Sequence, residues 1–210
     1  MKGMPREHAH PGHHHPAEGS IINAHQLEQL VSHLPAHLKH QKLQLLFSTV
    51  LNGNSLPAFY QNTGHNGPTL LLVRDSHHRI FGALATESWH VVHEDHFYGS
   101  AESMLFTFAP HGHLTVYPAR PEHQQYQLGK PSGLILGGGG NNGLYLDADL
   151  VAGTTQQSTT YNNQPLTGDG EEIFTISVLE AWGFENHIKH PPKHVEHPVG
   201  HQHPAAHHSQ

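Results

Sequence analysis

Read by its hydrophobic and polar positions, the chain divides into a polar head, a patterned middle and a polar tail. Leu27, Leu30, Val31 and Leu34 recur at helical spacing behind Asn23, and Gln26, three residues after Asn23, completes a capping box. Pro35 ends that helix, since it has no N–H to carry the ladder on. Leu43, Leu45 and Phe47 alternate as in a strand, but Leu46 and Val50 fit a helix equally well, so the pattern leaves this stretch open. Asn52-Gly53 marks a turn. Ser55 caps a short helix through Gln61 that turns Leu56, Phe59 and Tyr60 inward. Beyond it the pattern predicts short strands over Thr69–Arg74, Arg79–Ala85, Met104–Phe108, Leu114–Tyr117, Gln124–Leu128, Gly133–Leu136, Gly143–Leu146 and Ile173–Leu179. Asp75-Ser-His-His78 and Pro110-His-Gly-His113 fit hairpin loops, so the spacing is that of an antiparallel β protein. No repeat of solenoid length occurs.

Five motifs then stand in series. Gly67-Pro-Thr-Leu-Leu-Leu-Val-Arg-Asp75 is followed by Phe81-Gly-Ala-Leu-Ala-Thr-Glu-Ser-Trp89 and by an aromatic run from Phe97 to Phe108. The fourth, Gly133-Leu-Ile-Leu-Gly-Gly-Gly-Gly-Asn-Asn-Gly-Leu-Tyr-Leu-Asp147, places four glycines between two apolar runs, and Leu179-Glu-Ala-Trp-Gly-Phe-Glu185 closes the series. In order and spacing the chain resembles the TLDc domain over roughly Ile21 to Glu185. The resemblance implies a mainly β fold with flanking helices, in which two antiparallel sheets pack as a β-sandwich, and it favours a strand at Leu43–Phe47. It divides the chain into a domain over 21–185 and two tails, 1–20 and 186–210.

TLDc proteins are linked to protection against oxidative stress, and several bind the vacuolar proton-pumping ATPase. No enzymatic activity is established for the domain. The resemblance therefore implies a non-catalytic interaction domain whose partner is a protein, with subunits of that pump as the expected partners. The expected rim holds Glu87 and Trp89, Tyr98 and Glu102, and Trp182 and Glu185, with Glu180 as a further partner-binding or anchoring residue. The chain departs from the family pattern at Tyr117-Pro-Ala-Arg120 and at Glu122-His-Gln-Gln-Tyr126. Ser103 stands where some members carry cysteine.

Four chemical readings compete with that one. Gly138-x-Gly140-x-x-Gly143 matches a dinucleotide fingerprint, but Leu144-Tyr-Leu-Asp alternates like a strand where a helix has to open, and no Lys-Ser or Lys-Thr follows for a P-loop. Gly137, Gly138, Gly139, Gly140 and Gly143 are therefore read as structural, placed where positive φ or close backbone approach is needed. Glu87 and Glu102 form the alternative, a hydrolase carboxylate pair, against carboxylates bonded to amides or an indole N–H. Ser103 lies outside a nucleophile elbow, which disfavours a serine hydrolase. His90, His93 and His96 would converge on zinc only if that stretch were helical.

Composition narrows the field. With no cysteine, thiol redox chemistry, disulfides and zinc–thiolate sites are excluded. Ten Lys and Arg against 17 acidic residues provide no basic stripe for nucleic acid. No signal peptide or membrane span is visible, so the expected location is cytoplasmic. The 26 histidines, fully protonated, carry the formal charge from −7 to +19. Many sit among prolines in the tails, a composition that predicts disorder there. No cofactor is expected, although His8, His10, His13, His14, His15, His201, His203, His207 and His208 would chelate zinc, copper or nickel weakly. Metal buffering or pH sensing through these tails is a further alternative function.

Overall fold

The computed structural model describes residues 20–192. Its elements in chain order are α1 (Ala24–Val31), β1 (Leu43–Ser48), α2 (Thr49–Asn52), α3 (Leu56–Thr63), β2 (Thr69–Asp75), β3 (Ile80–Ala85), β4 (Met104–Thr107), β5 (Thr115–Pro118), β6 (Gln127–Lys130), β7 (Gly133–Leu136), β8 (Leu144–Asp147), β9 (Ala152–Thr154) and β10 (Ile173–Phe184). The chain is mainly β with flanking helices, and every ladder between named strands is antiparallel.

Two sheets share one strand. The order β5-β4-β3-β2-β10-β1 forms the first, and β10-β9-β8-β7-β6 forms the second. Ile173–Thr175 of β10 pairs with β9, whereas Ile176–Gly183 pairs with β2. The register against β2 slips between Ile176 and Val178, and a bulge there bends the strand where it passes from one sheet to the other.

Alternation along β2 explains why the molecule has two cores. Leu71 and Val73 join Phe47, Phe59, Phe81, Leu105, Leu134, Leu146 and Phe174 between the sheets. Leu70 and Leu72 point the other way, where Leu27, Leu30, Leu34 and Leu38 from α1 and the turn after it cover them with Phe106 and Trp182. A strand buried on both faces reads as a continuous apolar run, as Thr69–Val73 does.

The capping box forms as expected, with Gln26 N donating to Asn23 Oδ1 (2.8 Å) and Asn23 N to Gln26 Oε1 (3.0 Å). Leu43–Ser48 is a strand, and Ser55 Oγ accepts from Ala58 N to open α3. Four differences remain. Asn52 ends a one-turn helix rather than lying in a bare turn. The strand expected at Gln124–Leu128 forms three residues later, because Gln127–Lys130 is the segment in register with β7. Three-residue β9 was missed, being too short to show alternation. The described chain also runs past Glu185 to Pro192, and the backbone of this segment finds partners on the domain. The expectations for residues 1–19 and 193–210, including His8, His10, His13, His14, His15, His201, His203, His207 and His208, lie outside the described residues.

The tetraglycine turns β7 into β8. Gly137, Gly139 and Gly140 have φ of 85°, 93° and 110°, which L side chains rarely adopt. A Cβ on Gly138 would fall 1.9 Å from Gln125 Oε1, and one on Gly143 would fall 2.6 Å from Leu105 Cδ1. Strand β8 follows, so no helix N-terminus stands where a dinucleotide pyrophosphate would need one.

Candidate interaction surface

The longest helix-free connection within the first sheet, Thr86–Ser103, leaves β3 and crosses to the free edge of β6 in the second sheet before β4 begins. Buried Gln127 fastens it. Its Nε2 donates to Glu87 O (3.1 Å) and its Oε1 accepts from Glu87 N (3.1 Å). Tyr98 and Gln127 exchange both backbone bonds (2.9 and 3.1 Å), and Val92 N reaches Gly129 O (2.9 Å). Lys130 Nζ pairs with Asp95 at 2.6 Å. The loop thus covers a sheet edge that would otherwise be open to unwanted pairing.

Within the loop each expected site residue has a definite task. Trp89 is buried, donates its indole N–H to Thr69 Oγ1 (2.9 Å), and packs edge-on against Phe59 and Tyr98. Tyr98 donates its hydroxyl to His90 O (2.6 Å), and the His90 ring stacks on it at 3.9 Å. Burial pushes the Tyr98 hydroxyl up to about 12, and the nearby Glu87 carboxylate adds to the shift. Glu87 is exposed and accepts from Gly99 N (2.9 Å), while exposed Glu102 accepts from His37 Nε2 (3.2 Å). His90, His93 and His96 lie in a non-helical stretch, so the helical convergence zinc would need does not arise. Buried Ser103 donates to Ser100 O (2.7 Å), an ordinary turn bond rather than a link to a base.

Glu180 belongs to a different face. It is 4% exposed and accepts from Ile21 N (3.1 Å) and from the Trp182 indole (3.2 Å), tying the entry to α1 onto β10. Burial raises its pKa, and these two donors pull it back in part.

After β10, Glu185 N donates to Lys42 O (2.9 Å) and Asn186 N to Gln41 Oε1 (3.1 Å). Fully buried Asn66 then holds the chain. Its Oδ1 accepts from Lys189 N (3.0 Å) and His190 N (2.9 Å), and its Nδ2 donates to His190 O (3.1 Å) and Asn62 O (2.9 Å). The structure therefore separates the expected rim residues. Glu87, Trp89, Tyr98 and Glu102 share one loop; Glu185 opens the C-terminal segment; Glu180 and Trp182 lie inward. Sequence reasoning missed Gln127 and Asn66, because a buried amide in a strand or a connection has no pattern of its own.

A groove of about 310 Å³ runs between Asp95 and Phe97 of the loop and Gly138–Gly140, with Lys130 and Gln125 on its walls; Glu87 and Glu102 do not line it. Among the described residues, no three His, Asp or Glu side chains are placed to hold a metal ion, and no helix is long and apolar enough to cross a membrane.

Comparison with known proteins places this geometry in context. A family model for the TLDc domain matches residues 15–185. The chain is 37% identical over 172 residues to human (Homo sapiens) nuclear receptor coactivator 7, an alignment covering 81% of this chain and 18% of that protein. It is 35% identical over 168 residues to oxidation resistance protein 1 of Xenopus tropicalis, covering 79% and 19% respectively. The chain thus spans about a fifth of the length of these curated relatives.

Proposed function

The chain belongs to the TLDc domain family, and on that premise we propose that it is a non-catalytic interaction domain of the cytoplasm, acting in oxidative-stress defence through a protein partner. The finer form of the proposal is that the partner is the vacuolar proton-pumping ATPase, whose assembly the domain regulates. The name of one relative, oxidation resistance protein 1, supports the defence role for this chain. The observation that carries the non-catalytic reading is the placement of the carboxylates. Glu87 is engaged by the Gly99 amide, Glu102 by His37, and Glu180 by the Ile21 amide and the Trp182 indole. These bonds hold loops and termini, and none of the three faces a nucleophile or a second carboxylate in them.

Affinity purification of the full chain from its own cells, together with peroxide survival after deletion, tests the proposal. Recovery of pump subunits and heightened peroxide sensitivity are expected. If neither occurs, the reading fails. Conservative variants separate it from the hydrolase alternative: E87Q with E102Q is expected to retain peroxide protection, since neither change empties a buried site. Weak chelation of zinc, copper or nickel by the tail histidines is a separate proposal, which calorimetric titration of the full chain against a variant with those histidines replaced by glutamine would test.

A further inference from the structure

The segment after β10 lies directly on main chain. A Cβ on Gly67, at φ 76°, would fall 2.6 Å from His187 Cβ, and the side chains of Ile188 and Leu46 both lie over Gly183. Two pairs of imidazoles face one another across this seam, each with one ring on the domain and one on the segment. His37 and His187 stand 6.4 Å apart, edge to face, and His65 and His190 stand at the same 6.4 Å. Neutral rings tolerate that arrangement. Charged rings repel.

We propose that residues Glu185–Pro192 form an acid-released strap, which lies against the sandwich while the two facing histidine pairs are neutral and lifts when they are protonated. The surroundings set the sign. Among the described residues, Glu102 is the one carboxylate bonded to any of these four imidazoles, through His37 at 3.2 Å, so protonation strengthens a contact within the domain body rather than one to the strap. The turn bonded to the strap's start through Lys42 O and Gln41 carries His40 and Lys42, and Lys189 lies in the strap itself, with Glu185 adding one carboxylate. Positive charge therefore accumulates on both sides of the seam on acidification. The Asn66 latch is neutral and does not change with pH, so the imidazoles alone shift the balance.

Two unit charges 6.4 Å apart in a water-like dielectric shift an opening equilibrium by about threefold, so the two pairs together give up to about tenfold at low salt. Salt weakens the effect, because the separation is close to the ~8 Å screening length at physiological ionic strength. Lifting takes Ile188 off Gly183 and carries with it residues 193–210, which hold six further histidines. The strap goes beyond the proposed pump partner and does not depend on it.

Amide exchange of the full chain, followed by NMR at pH 7.5 and 5.5 and normalised to intrinsic rates, tests the strap. The Lys189 and His190 amides are expected to lose up to about tenfold in protection on acidification at low salt while Leu71 in β2 holds. The double variant H187Q/H190Q is expected to lose that dependence. N66A is expected to leave both amides unprotected at either pH, which shows that the assay reads the latch. Equal protection at the two pH values, an undiminished drop in the double variant, or wild-type protection at pH 7.5 no better than that of N66A would each overturn the proposal.

Discussion

The two ends of β10 each fix a neighbouring segment against the sandwich, with opposite chemistry. Ahead of Ile173, the connection carrying Asp169 and Glu171 is pinned by Arg79, whose Nε bonds Asp75 (2.6 Å) and whose Nη1 bonds Asp169 and Glu171 (2.7 Å each). Beyond Phe184, the strap is held by backbone amides on Asn66 and Gln41, with imidazoles facing imidazoles. Arg79 is charged at every relevant pH; despite the opposing effect of burial, its hydrogen bonds to Asp75 and Glu171 raise its pKa further. The first end therefore rests on a permanent charge, and the second on amide bonds beside facing imidazoles. The comparison teaches that permanent charges suit a fixed join and imidazoles suit one that opens.

The largest expected effect is at Arg79. Its carboxylate partner Asp75 has a fully buried side chain, so Arg79→Met strands an ionised group and is expected to cost about 3–5 kcal/mol in urea unfolding. A loss below about 1 kcal/mol would remove the contrast between the ends. Next comes Asn66→Ala, which deletes three bonds to the strap and one to Asn62 and is expected to cost about 1–2 kcal/mol. Truncation after Glu185 should cost a similar amount, and the two losses should not add, since they remove the same contact; additive losses would place the role of Asn66 elsewhere. Smaller still are Asp169→Asn and Glu171→Gln. Their side chains are 49% and 57% exposed, so each should cost less than either change above and fade in high salt. A salt-resistant loss would show that the whole Arg79 cluster acts as one buried unit.

Glu180, midway along β10, supplies an internal reference. Its pKa is raised in the fold, chiefly by burial, so the folded state binds the proton more tightly than the unfolded state. Stability from this group is present at low pH and is lost as pH rises from the ordinary glutamate value through the raised one. Glu180→Gln removes that dependence, so the stability of the variant relative to wild type should climb over this window in paired unfolding curves. A flat difference would contradict the shift.

Much of the sandwich was legible in the sequence, for local reasons. Asn23 and Gln26 cap a helix whatever lies around them, and Thr69–Val73 is apolar enough to demand burial on both faces. The seating of the segment after Glu185 was not legible, because histidine and proline composition says how little a segment can bury by itself, and not that Asn66, far away in sequence, holds a side-chain amide ready for it. The carboxylates were legible as marked positions, but their environments were not: Glu180 is buried and Glu87 and Glu102 are exposed, although all three sit beside aromatic or hydroxyl residues in the sequence.

The sequence by itself determined the family, the antiparallel pattern and the absence of thiol chemistry, because motif order, alternation and composition are properties of the chain taken a few residues at a time. Tertiary structure alone decided that β10 serves two sheets, that Gln127 fastens the Thr86–Ser103 loop, and that His37 meets His187 and His65 meets His190. Those pairings join positions more than a hundred residues apart, or bind one buried amide to one loop. Only the packed fold brings such groups within reach of each other.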